Sequence, residues 1–276
     1  MNAGRECLQD IVMIGLPTDS HSSFTRGPAK APPLIRAALT SDHSNMACEN
    51  GREIGRDISL TDLGDLPLDE STEDVGRIRE AARSAAAAGK VPIFLGGDHM
   101  VSFPVVAGLS AVHGPLSILH FDAHPDLYED FEGDPLSHAS PFARIMEGRH
   151  AAALVQVGIR TLNRHCREQA ERYGVTIIGM RDFNARSVPI PAKGPLYISI
   201  DCDALDPAFA PGVSHHEPGG LSVRDILDVL ARVDRPIVGA DVVEYNPDRD
   251  VNGVTAVVAA KLVKELAALG ECGGQQ

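Results

Sequence analysis

Short apolar runs alternate along this chain with longer segments of helical period. The runs are IVMIG from Ile11, VPIFLGG from Val91, LSILHF from Leu116, LVQVGI from Leu154, VTIIG from Val175, LYISI from Leu196 and PIVGADVVE from Pro236. They are rich in β-branched residues, bounded by Gly or Pro, and continuously apolar, as strands are when both faces are buried. Helices are predicted between them over 72–88, 163–173, 222–233 and 252–269, with Ser222 as an N-cap and Gly270 as a stop. The order implies an α/β fold in which one doubly wound parallel sheet carries helices on both faces. The segment 18–33 reads as loop and the tail after Gly270 as a frayed end. A chain of 276 residues is expected to form a single domain over 1–276, with about 11–270 as its ordered core.

In such sheets the functional crevice lies beyond the carboxyl ends of the strands. Three runs enter clusters of Asp and His there: VPIFLGG leads to Asp98 and His99, LSILHF to Asp122, His124 and Asp126, and LYISI to Asp201 and Asp203, while the run from Pro236 ends on Glu244. Extended chain has a period of two, so Asp122, His124 and Asp126 are expected to share one side, as are Asp201 and Asp203. Any one of these residues alone reads equally as a capped strand end or a surface acid. As a set they pose a charge problem, because each desolvated carboxylate is penalised by several kcal/mol unless it is paired. Two divalent cations would neutralise Asp122, Asp126, Asp201 and Asp203, with His99 and His124 completing the shells as neutral imidazoles. Carboxylate and imidazole donors without thiolate suit Mn²⁺, and leave Ni²⁺, Co²⁺ and Fe²⁺ open.

Net charge narrows the partners. At −13, with a pI near 5.2, the chain repels nucleic acid and anionic membranes and attracts small cations, although acidity also serves solubility alone. Five cysteines, Cys7, Cys48, Cys166, Cys202 and Cys272, form no C-x-x-C pair and leave an odd one over. That argues against a disulfide framework or a thiolate zinc site and predicts a reducing cytoplasm. The N-terminal segment keeps acidic residues beside a short apolar run, and no stretch approaches the length of a membrane span, so neither export nor membrane anchoring is expected.

The segments GGDH from Gly96, HFDAHPD from His120 and SIDCDALDPAFAPG from Ser199 resemble the three metal-binding signatures of the ureohydrolases, the arginase and agmatinase family. SHASPFARIMEG from Ser137, APGVSHHEPGGLS from Ala210 and GADVVEYNPDRD from Gly239 are similar to its plant-type arginase branch, and the likeness runs from about Ile11 to the end. The resemblance implies about eight parallel strands between helices, assembly into trimers or hexamers, and two Mn²⁺ per chain. One ion would be bound by His99 and Asp126 and the other by His124 and Asp203, with Asp122 and Asp201 contacting both. It further implies that Asp126 orients the attacking water, that His138 shuttles protons, and that substrate contacts come from Glu244, His138, Asn163 and His215.

A guanidinium carbon is a poor electrophile, since resonance spreads its charge, and hydrolysis near neutral pH needs water acidified by metals. Glu244 suits the planar donor array of a guanidinium, and a histidine such as His138 titrates where a general acid and base should. His138 also reads as a helix-start histidine without a role, and His215 and His216 as exposed or mouth-lining. Asn163 falls where other arginases carry an acid that meets the substrate's amino group. Cys202, between two acids, is expected to pack in the core. The expected reaction is L-arginine and water to L-ornithine and urea. Agmatine, guanidinobutyrate and guanidine remain as alternative substrates, and a silent scaffold is the alternative from another class, disfavoured because all six candidate metal ligands are present.

Overall fold

The computed structural model describes residues 10–43 and 45–270; Cys7, Cys272 and the tail after Gly270 lie outside the described residues. Eight strands form one sheet: β1 (Ile11–Gly15), β2 (Leu60–Asp65), β3 (Val91–Leu95), β4 (Leu116–Phe121), β5 (Ala151–Ile159), β6 (Thr176–Gly179), β7 (Leu196–Asp201) and β8 (Ile237–Val243). All pair in parallel in the order β2-β1-β3-β8-β7-β4-β5-β6. The helices are α1 (Ala31–Leu39), α2 (Asp74–Ala87), α3 (Ser102–His113), α4 (Pro141–Glu147), α5 (Arg164–Tyr173), α6 (Val223–Leu230) and α7 (Val254–Leu269).

Buried strand residues alternate between two cores, as the period of two requires. Ile11, Met13, Ile93 and Leu95 join a layer closed by α1, α6 and α7. Val12, Ile14 and Phe94 join a layer closed by α2, α3, α4 and α5. The sheet is therefore covered on both faces, and its central strands read as unbroken apolar runs for that reason.

Ser222 caps α6 in a capping box, taking the amide of Asp225 while Asp225 takes the amide of Ser222. Gly270 ends α7. Two segments depart from expectation. β2, sequence LTDLGD, was not predicted: it lies at one edge of the sheet and is largely exposed, so nothing demanded an apolar run. The predicted loop 18–33 ends early, because α1 begins at Ala31 with Pro32 and Pro33 in its first turn, where a missing N–H costs no helical hydrogen bond. Among the described residues, no helix is long and apolar enough to cross a membrane.

Candidate metal centre and its cavity

The carboxyl ends of β3, β8, β7 and β4 lie side by side in the middle of the sheet. Each delivers part of one buried cluster. His99 begins a 3₁₀ turn just after β3. Its Nδ1 lies 3.2 Å from Asp122 Oδ2, 3.0 Å from Asp126 Oδ2 and 3.1 Å from Asp201 Oδ2. His124 Nδ1 lies 3.0 Å from Asp203 Oδ2 and 3.4 Å from Asp122 Oδ1. The two oxygens of Asp122 thus face the two histidines separately. The six side chains read as ligands from the sequence converge.

They converge by a route other than strand alternation. β4 ends at Phe121 and β7 at Asp201, so His124, Asp126 and Asp203 stand on turns. Asp201 accepts the amide of Asp203 at 2.7 Å, Asp122 accepts that of His124 at 2.5 Å, and Asp203 accepts that of Ala123 at 3.1 Å. Each acid shapes the turn that presents its neighbour. Asp126 and Glu244 hold left-handed backbone, with φ of 48° and 60°, a conformation that disfavours non-glycine residues and gathers at functional sites. Gly97 is obligatory for another reason: a Cβ there would collide with the carbonyl of Thr18.

Beneath the cluster runs a row of buried polar side chains that sequence reading missed. Gln156, His120, Ser199 and Asp241 are in register across β5, β4, β7 and β8, and all four are buried. Ser199 Oγ donates to Asp241 Oδ1 at 2.6 Å, and Ser102 and Tyr197 donate to Oδ2 at 2.6 and 2.5 Å. Because the Ser199 proton is used on Asp241, its oxygen accepts from His99 Nε2, 3.1 Å away. His120 spans Gln156 (3.1 Å) and Asp122 Oδ2 (2.9 Å), so both its ring nitrogens are engaged. One polar residue at the same depth in four adjacent apolar runs was the signal available in the sequence.

With Nε2 carrying the proton, the neutral His99 ring turns the Nδ1 lone pair toward three carboxylates, and among the described residues Nδ1 makes no hydrogen bond. A lone pair facing three anions is repulsive unless a cation stands between them. Donor atoms about 3 Å apart are also what adjacent corners of an octahedron require at metal–ligand bonds of about 2.1 Å. Proton affinities carry the same demand. Burial, then Asp203 and Asp122, pushes Asp201 well above the carboxylate range; burial and Asp122 raise Asp126. Burial would lower His99 and His124, but their acidic neighbours outweigh it and raise both. Burial would raise Asp122 too, yet the surrounding His120, His124 and His99 rings hold it well below its ordinary value. The residues fit divalent cations: donor atoms of Asp122, His124 and Asp203 lie within 4.8 Å of one another, as do those of His99, His120 and Asp122.

A cavity of ≈ 700 Å³, its open mouth included, stands over this floor, lined also by Ser23, Tyr128, Phe131, His138, Thr161, Cys166, His215 and Glu244. That size suits a small molecule. His138 Nδ1 lies 2.8 Å from Glu244 Oε1, which also accepts the amide of His99 at 2.9 Å. Burial would lower the His138 imidazole, but the Glu244 charge outweighs it and pushes it up to about 9; burial would raise Glu244, and His138 holds it below its ordinary value. His215 lines the mouth near the rings of His124, His138 and Phe24, and burial and His138 lower its proton affinity. His216 is exposed and bonded to the Pro211 carbonyl. Asn163 does not line the cavity: it caps α5 through the amide of Cys166 and donates to the Tyr128 hydroxyl. Cys202 is buried in the core. Cys166 touches the cavity, with burial raising its thiol to about 11.

The model described as Arginase family matches residues 9–268. A mitochondrial arginase from Medicago truncatula is 50% identical over 274 residues, 93% of this chain and 80% of the relative. An agmatinase from Bacillus anthracis is 32% identical, over 93% of this chain and 90% of the relative. The solved arginase from Medicago truncatula superposes with a TM-score of 0.90 at 48% identity, covering 95% of this chain and 88% of the other. The mitochondrial relative corrects the expectation of a cytoplasmic home. Cysteine usage reports a reducing chemistry, which does not distinguish the cytoplasm from the interior of an organelle.

Proposed function

Because this chain belongs to the arginase family, we propose that it hydrolyses L-arginine to L-ornithine and urea with two Mn²⁺ held by His99, Asp122, His124, Asp126, Asp201 and Asp203. The observation that carries the reading is His99 Nδ1, buried among three carboxylate oxygens and, among the described residues, without a hydrogen bond. Donors that are carboxylate and imidazole favour Mn²⁺, with Ni²⁺ or Co²⁺ as substitutes. Bound there, two such ions supply water acidified enough to attack near neutral pH.

The chain's own residues do the rest. Glu244, held anionic by His138, receives the guanidinium and fixes its plane, with Oε2 free of the two contacts that engage Oε1. Asp126 lines the cavity and aims the attacking water. As the water oxygen joins the guanidinium carbon, the carbon–nitrogen bond to the side chain breaks and its electron pair leaves with nitrogen. That nitrogen must take up protons to depart as an amine. His138, protonated because of Glu244, is the acid at hand. His215 at the mouth faces the amino-acid end of the substrate, and Asn163 acts one step back, through Tyr128.

The family likeness implies a homo-oligomer, a trimer or hexamer, for which exposed Leu34 on α1 and Val251, Val254 and Val257 on and before α7 offer apolar surface, and sedimentation tests it directly. The reaction is tested by loading the protein with Mn²⁺, stripping an aliquot with chelator, and measuring urea from arginine, agmatine, guanidinobutyrate and guanidine in parallel. Metal-dependent urea mainly from arginine is expected. Preference for agmatine would keep the chemistry and replace the substrate, and no urea from any of the four would sink the assignment.

A further inference from the structure

The segment between β1 and α1 crosses the cavity mouth and is pinned along its length. Asp19 accepts the amides of Gly27 and Ala29 at 2.7 and 3.1 Å. Asp98, buried beside His99, accepts the amide of His21 at 3.0 Å and the hydroxyl of Ser22 at 3.4 Å. The His21 ring lies 2.7 Å from Asp134, and its carbonyl accepts the amide of His138 at 3.1 Å. So held, Ser23 meets His138 with two groups: its amide nitrogen lies 3.1 Å from Nε2, placed to donate whenever that nitrogen is bare, and its Oγ lies 2.8 Å from the same nitrogen. Nδ1 is taken by Glu244. The contacts close a ring, because Asp98 anchors the Ser23 segment while the next residue, His99, anchors Glu244.

An amide N–H can be answered only by a lone pair, so it favours the ring with Nε2 bare; a hydroxyl answers either state. Both ring nitrogens are occupied, and of the two groups on Nε2 the Ser23 hydroxyl is the one able to give up a proton of its own near neutral pH by taking another. Ser23 also lines the cavity.

We propose that Ser23 is the catalytic relay through which His138 gives its proton to the departing amine, a step that rests on the reading of the chain as an arginine hydrolase. The Nε2 proton passes to Ser23 Oγ as the original hydroxyl proton passes to the leaving nitrogen. One proton moves from imidazolium to amine, the serine is regenerated, and no electrons are exchanged. The imidazole keeps its Nδ1 proton toward Glu244, and the bare Nε2 is met by the Ser23 amide, which stabilises the product state of the transfer.

The test compares wild type with Ser23→Ala, which keeps the amide and removes the hydroxyl, and Ser23→Thr, which restores a hydroxyl. Ser23→Ala is expected to lower kcat for arginine about 30-fold with KM changed less than about threefold, and Ser23→Thr to recover most of it. An analogue with oxygen in place of the methylene beside the guanidine releases a weakly basic oxyamine that needs less proton donation, so its loss should shrink to about threefold. In parallel, the His138 ring is titrated by nitrogen-15 NMR in protein loaded with a diamagnetic divalent ion. The hydroxyl is the only Ser23 group that can accept from the imidazolium, so Ser23→Ala should lower the His138 pKa by about one unit; Glu244, Asp98, Asp126 and His215, which also act on it, are unchanged. Unaltered kcat, equal losses for both substrates, or an unmoved titration would overturn the relay. Absence of urea from wild type would instead overturn the arginine reading, and the titration would still decide whether the hydroxyl serves Nε2.

Discussion

The floor and the mouth of the cavity are built by opposite means. On the floor, five of the six candidate ligands are buried, His124 being partly exposed, and several are tied to backbone or to a second polar side chain: Asp122 to His120 and His124, Asp201 to Asp203, His99 to Ser199 and through it to Asp241. At the mouth, Phe24 is 69% exposed and His215 meets its neighbours through ring contacts at 5.3 to 5.7 Å. A preorganised floor fixes the chemistry, since polar groups held before reaction need not reorganise during it. At the mouth the backbone is pinned, but the Phe24 and His215 side chains are held by ring contacts, which leaves the substrate's far end to be chosen by few contacts.

The comparison breaks first if the floor tolerates loss. Asp201→Ala removes a carboxylate from beside His99 and should cost metal binding and about a thousandfold or more in turnover. Metal content by mass spectrometry and urea release would be read together. Full activity with one acid missing would show that the cluster is not the reaction centre. His138→Asn sits between floor and mouth. It should keep the metal and slow turnover about a hundredfold.

The same variant carries the pH prediction. The His138 imidazole is raised from 6.5 to about 9 in the folded chain. A raised histidine stabilises the fold fully below its unfolded value, and that contribution fades as pH rises through the folded value. Stability of the wild type should therefore fall between about pH 6.5 and 9 more steeply than that of His138→Asn, and turnover should decline near pH 9 in the wild type as the acid form is lost. Parallel denaturation curves at both ends of the window would contradict the Glu244–His138 pairing.

A subtler test reaches beneath the floor. Ser199→Ala leaves all six candidate ligands in place but removes the acceptor of the His99 Nε2 proton and frees Asp241 Oδ1. Such outer partners are worth about 10- to 100-fold in metal affinity, and the lower figure is expected here because Asp241 retains Ser102 and Tyr197. Metal titration by calorimetry would read it, and unchanged affinity would mean that the polar row supports the fold alone.

What could be read from the chain divides along the same line. The central strands were legible because burial on both faces demands unbroken apolar runs, and the acids and histidines at their ends stood out because nothing but chemistry keeps four carboxylates there. β2 was illegible because most of its side chains are exposed, whereas β6, at the other edge, is partly buried and reads as a run. Ser23 and Ser199 were illegible because a serine costs little anywhere and its role comes from what folding brings to it. The convergence of Asp122 with His124 and of Asp201 with Asp203 was expected for the wrong cause: the spacing was attributed to extended chain, whereas turns set by the acids' own hydrogen bonds produce it. Asn163 was read as a substrate contact from its place in the sequence; it stands behind Tyr128, as the helix cap its residue type favours.

The smallest effect is expected at the mouth. His215 lines the cavity, and burial lowers its proton affinity, so near pH 7 it is a neutral donor rather than a fixed cation. A hydrogen bond from the neutral ring to the substrate's carboxylate, weakened by solvent at the open mouth, is worth about 1 kcal/mol, or about fivefold in KM. His215→Ala should therefore raise KM for arginine by about that factor while leaving kcat nearly unchanged, because the ring is assigned to the amino-acid end of the substrate and not to the bond that breaks. Agmatine carries no carboxylate and should lose less, so the ratio of kcat/KM between the two narrows. An equal loss for both would show that His215 only packs against Phe24 and His138, and the choice between substrates would then fall to Tyr128 and the Asn163 behind it.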